Sequence, residues 1–76
     1  MINIETFIKE ELDDITKIKL IQILKNSKNK KQEKIIYNRF SIDIFFKKNT
    51  IKIYDDIFTE SKPYVSNIKE FIKIIK

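Results

Sequence analysis

The sequence predicts an α+β fold in which an N-terminal helix, an antiparallel β-hairpin and a C-terminal helix share one core. Three observations carry this expectation. Ile4, Phe7, Ile8, Leu12, Ile15 and Ile18 recur at spacings of three and four, the period of a helix. Apolar residues then alternate at Phe40, Ile42, Ile44 and Phe46, and again at Ile51 and Ile53, the period of a strand. Helical spacing returns with Ile68, Phe71, Ile72 and Ile75.

The first helix is expected from Asn3 to Lys25. Asn3 suits the cap, Glu5 the first turn, and Lys25 and Lys28 the last, where cations complement the helix dipole. Beyond Ile18 the stripe broadens, because Leu20, Ile21, Ile23 and Leu24 point several ways. Either this end is buried on more than one side or the helix kinks or breaks near Asp13-Asp14, and the break is the favoured reading. Residues 26–34 hold no apolar side chain and read as a polar connector.

The hairpin is expected over about 35–47 and 50–58. Ile36, Phe40, Ile42, Ile44 and Phe46 are even-numbered, whereas Ile51, Ile53 and Ile57 are odd. A two-residue turn at Lys48-Asn49 would bring both sets to one face, with Phe46 opposite Ile51, Ile44 opposite Ile53 and Phe40 opposite Ile57. Asn49 tolerates the left-handed backbone such a turn requires. Asp55 is the flaw, because it would face Ile42 on the inner side. A bulge at Asp55-Asp56 resolves it, as does a turn that starts a short third strand at Ile57–Thr59. Pro63 stops the strand. Ser66 or Asn67 then caps the last helix, about 66–75, with Asn67 and Glu70 spaced as a capping box and Val65 on its apolar face.

Composition limits the chemistry. The chain has 76 residues, which implies one domain over 1–76 that buries only about 60% of its unfolded surface. Cysteine is absent, so no disulfide staples it, and apolar packing must hold it together. Histidine and glycine are absent too, which removes the commonest general base and the glycine-rich phosphate loops. No cofactor is expected. Asp43 with Glu60-Ser61-Lys62 has the residue types of a magnesium nuclease, but Glu-x-Lys falls at a strand end instead of within a central strand. The pairs Asp13-Asp14 and Asp55-Asp56 more often cap helices and end strands than bind cations. The expectation is therefore a protein that is not an enzyme and holds no metal.

Three surfaces remain for partners, the third being the hairpin's strand edges, which unless capped can accept another chain's strand. The outer face of the hairpin offers Tyr37, Arg39, Phe45, Lys47, Lys52, Tyr54 and Phe58, a mixture of aromatics and cations that interfaces favour. Lys25, Lys28, Lys30, Lys31 and Lys34 would supply a basic track if the partner were nucleic acid. The net charge of +5 permits that, although Arg39 is the single arginine.

The isoleucine, lysine and asparagine bias, with no alanine or glycine, resembles an AT-rich genome. The leading expectation is a non-enzymatic, protein-binding inhibitor or accessory factor from a mobile element of an AT-rich prokaryote or phage. Immunity proteins, antitoxins and anti-defence (anti-CRISPR-type) proteins are of this kind. It would block a larger protein or protein–RNA complex by surface contact. The alternatives are a small basic nucleic-acid-binding protein and a structural homodimer subunit. The start carries no basic n-region, and no run approaches the ~20 apolar residues of a membrane span, so a cytoplasmic location without membrane contact is expected.

Overall fold

The computed structural model describes residues 2–26 and 31–76. Helices α1 (Ile4–Glu11) and α2 (Asp14–Lys25) precede four strands, β1 (Gln32–Ile36), β2 (Phe40–Phe45), β3 (Thr50–Asp55) and β4 (Tyr64–Asn67). Helix α3 (Ile68–Ile75) closes the chain. The strands form one antiparallel sheet in the order β1-β2-β3-β4. The fold is α+β with helices at both ends, as the apolar periods imply.

The expected break in the N-terminal helix occurs, and its cause is local. The Asn3 carboxamide accepts the Glu5 amide at 2.9 Å and starts α1. The Asp13 carboxylate accepts the Thr16 amide at 2.8 Å, which starts a second helix and ends the first. This amide also holds the Asp13 carboxyl below its usual range. The break resets the helical phase. Ile15 and Ile18, expected to share a face with Phe7, are instead exposed, while Leu20 and Leu24 of α2 are buried.

The expected hairpin is the centre of a larger sheet. Its first strand is divided, because a tight turn at 37–39 separates β1 from β2. The Tyr37 amide donates to the Phe40 carbonyl at 2.8 Å. The Glu11 carboxylate accepts the Asn38 and Arg39 amides at 3.3 and 3.1 Å, supplying partners to backbone groups that leave the ladder. The turn flips the phase, so Ile35 rather than Ile36 shares the inner face with Ile42, and Ile36 is exposed. Strand β1 also takes up residues 32–34 of the expected connector.

The β2–β3 turn spans Phe46–Asn49 instead of two residues. The Asn49 amide donates to the Phe46 carbonyl at 3.2 Å, and Asn49 adopts the left-handed backbone anticipated for it, at φ 50°. Pairing shifts by two residues: Ile44 meets Ile51, Ile42 meets Ile53 and Phe40 meets Asp55. A shift of two preserves every face. Phe40, Ile42, Ile44, Ile51 and Ile53 are all buried, and Phe46 packs against the core from the turn.

Asp55 ends β3 without a bulge. Its Oδ1 accepts the amides of Ile57 and Phe58, both at 2.9 Å, so the chain leaves the sheet and no third strand forms at Ile57–Thr59. Ile57 is 64% exposed instead of facing Phe40. Strand β4 begins directly after Pro63, a residue compatible with a strand start, and carries Val65, expected on the last helix. Asn67 caps α3 as anticipated, accepting the Glu70 amide at 2.8 Å.

All three helices contribute to a core on one side of the sheet. Phe7 lies at its centre, with its ring edge-on to Phe40 at 5.3 Å and tilted against Phe71 at 6.4 Å. Such aromatic contacts add to the burial term.

Candidate functional site

The inner side of the sheet belongs to the core, and the outer side is where the charged and aromatic residues of the strands collect. Alternation along β2 and β3 sends Ser41, Asp43 and Phe45, and Thr50, Lys52 and Tyr54, to this side. Strand register then sets Lys34, Asp43, Lys52 and Val65 in one row across all four strands. The Lys52 ammonium lies 5.7 Å from the centroid of the Phe45 ring, within cation–π range. Phe45, Asp43, Lys52 and Tyr54 are each half-buried, so each keeps part of its surface available for contact.

At one end of this face the loop 56–61 folds over the strands and leaves an open polar cleft of about 290 Å³. Ser41, Asp43, Tyr54, Asp56, Thr59 and Lys34 are among its lining residues. The Ser41 hydroxyl donates to the Asp56 carboxylate, and the Asp56 amide donates to the Arg39 carbonyl at 2.8 Å, so the cleft wall is braced from two sides. The volume lies at the low end for small-molecule sites, which are also mostly apolar.

Of the seven residues expected at a partner surface, Phe45, Lys52 and Tyr54 share the outer face, Lys52 against Phe45 and Tyr54 at the other end of the strands. Tyr37 does not join them. It lies in the β1–β2 turn with its ring edge-on to Phe7 at 6.0 Å, and burial, helped by the Glu11 charge, pushes its hydroxyl pKa up to about 12. Arg39 serves as a latch. Its guanidinium donates to Glu10 at 3.1 Å and to Asp55 at 2.9 and 3.4 Å, tying α1 to the end of β3. It also lies 5.0 Å from the Phe40 ring centroid and 5.1 Å from that of Phe58. The hydrogen bond from Arg39 holds the Asp55 carboxyl below its usual range, and Asp55 in turn raises the guanidinium pKa. Phe58 is exposed on the loop beyond β3, and Lys47 is exposed in the β2–β3 turn.

The described residues of the nucleic-acid alternative, Lys25, Lys31 and Lys34, stand on different elements. Lys25 ends α2, Lys31 precedes β1, and Lys34 stands on the outer face beside Asp43. Lys28 and Lys30 lie outside the described residues.

Three of the four paired aspartates have architectural partners. Asp13 caps α2, Asp55 holds Arg39, and Asp56 holds Ser41. Glu60-Ser61-Lys62 lies in the loop before Pro63 and not on a strand, although Ser61 and Asp43 border the same cleft. Among the described residues, no group of three or more acidic side chains is arranged to hold a metal ion.

Lys34 and Val65 are members of the outer face that periodicity assigned elsewhere, to the connector and to the last helix. The turn at 37–39 breaks the phase between Lys34 and Ile36 and the even-numbered residues of the following strand, and it carries no glycine or proline to announce it. The chain matches no known protein-family model, no curated protein and no solved structure. No described helix is long and apolar enough to cross a membrane.

Proposed function

We propose that this protein is a non-enzymatic binding module that docks a larger protein through the outer face of its sheet. The observation that supports this reading best is that Phe45, Lys52 and Tyr54 share one face that the helices leave free, with Lys52 against Phe45 and Tyr54 at the other end of the strand pair beside the cleft. Aromatics held on rigid strands lose little conformational freedom on docking, which suits them as anchors. The alternation of charge favours a protein over nucleic acid. Asp43 stands between Lys34 and Lys52, and Asp56 borders the same cleft, so the face lacks the continuous positive potential that phosphates need. Small size and the isoleucine, lysine and asparagine bias agree with an inhibitor or accessory factor of a mobile element, of the immunity, antitoxin or anti-defence kind.

Affinity capture from the source cell, with nuclease treatment, tests the reading. A protein retained by the wild type after nuclease treatment, and released by both Phe45→Ala and Tyr54→Ala, supports it. Loss of the partner on nuclease treatment, or its retention by both variants, contradicts it. Salt gives a second criterion: binding through this face should change little with ionic strength, whereas a phosphate binder weakens steeply.

A further inference from the structure

Helix α2 carries a second surface that the sheet face does not use. Ile15 is 67% exposed and Ile18 55%, on the side of the helix opposite the buried Leu20 and Leu24. Ile18, Ile21, Gln22, Lys25 and Asn26 line a shallow, mainly apolar groove along its C-terminal half. Ile15, Ile18, Gln22 and Lys25 follow one another at spacings of three, four and three and so lie along one side of the helix, apolar at its first half and polar at its second. No other described element covers Ile15 or Ile18.

We infer that α2 is a self-association helix, and that its occupant is α2 of a second copy of this chain, laid antiparallel. The warrant is self-complementarity. The N-terminal end of α2 carries Asp13 and Asp14, and the C-terminal end carries Lys25. A two-fold axis level with Leu20 sets the Asp14 of each copy beside the Lys25 of the other. The same operation brings Ile15 and Ile18 of each copy against the other's groove, and it opposes the two helix dipoles. One patch thus supplies the apolar centre and both signs of charge, which makes it self-complementary about a two-fold axis.

Helix α2 is about 18 Å long at 1.5 Å per residue. A single crossing of that length buries less than the roughly 1,200–2,000 Å² of a stable interface. The dimer is therefore weak and forms as concentration rises. Since the helices lie on the inner side of the sheet, pairing leaves both outer faces free, and the dimer presents two copies of the sheet face.

Sedimentation equilibrium on the full chain at low salt, from about 10 μM to about 1 mM, tests this directly. The expected result is a molar mass that climbs toward the dimer. Ile18→Lys should raise the dissociation constant about tenfold or more, with the far-UV circular dichroism unchanged because Ile18 is exposed. Lys25→Glu should also weaken association, and adding Asp14→Lys to it should restore it. A monomer at every concentration overturns the inference and leaves the groove to a different partner. So does a dimer indifferent to Ile18→Lys, or a charge reversal that the second substitution does not rescue. These results are independent of the capture experiment on the sheet face.

Discussion

The two faces of β2 and β3 are made by alternate residues of the same short strands, yet they behave as different materials. On the inner side Phe40, Ile42, Ile44, Ile51 and Ile53 are all buried beneath the helices. On the outer side Asp43, Phe45, Lys52 and Tyr54 stay half-buried, with a cation over one ring and a carboxylate between two lysines. Period-two geometry forces this division, because a strand cannot rotate one side chain without rotating all of them. The lesson is a separation of duties: substitutions on one side should change stability, and those on the other should change binding.

The sharpest way to break the comparison is at the core. Phe7 is fully buried and touches rings from β2 and α3, so Phe7→Ala should cost about 3–5 kcal/mol in a urea titration. A loss below about 1 kcal/mol would mean the helices do not pack on the sheet as described.

The next test is the acid side of the Arg39–Asp55 latch. Arg39 stabilises the ionised form of Asp55, so the folded carboxyl sits below the unfolded value of about 4. Its contribution is fully present above that value and is lost as pH falls through the folded one. The stability gap between wild type and Asp55→Asn should therefore be flat near neutrality and narrow below about pH 4. A gap that stays constant into acid would show that the ion pair is not the source.

Asn67→Ala removes the α3 cap and should cost about 1 kcal/mol by thermal or urea unfolding, with serine in its place recovering most of the loss. The smallest effect on folding belongs to the outer face. Tyr54→Ala should stay within about 1 kcal/mol of wild type, despite its expected effect on binding.

Much of this division was legible in the residues themselves. Asp13-Asp14 marked the helix break, Asn67 marked the last cap, and alternation from Phe40 onward assigned the inner face. The turn length was not legible, because loops of two and four residues send the same side chains inward. The division of the first strand was hidden for a different reason. The turn at Tyr37–Arg39 is held by Glu11, a residue far away in sequence, so no local signal marks it. Asp55 looked like a defect of register until Arg39, likewise distant in sequence, supplied its partner. At the candidate site, Phe45, Lys52 and Tyr54 followed from parity alone. Tyr37 and Arg39 were expected on the same face, and the turn takes them off the strand.

The central claim is that the outer face of the sheet binds a protein, and it is tested most directly by titrating the captured partner against Phe45→Ala, Tyr54→Ala and wild type. The expected result is a loss of about tenfold or more for each variant, at unchanged fold and with little dependence on salt. Equal affinity for all three chains would contradict the claim and move the binding surface elsewhere on the molecule.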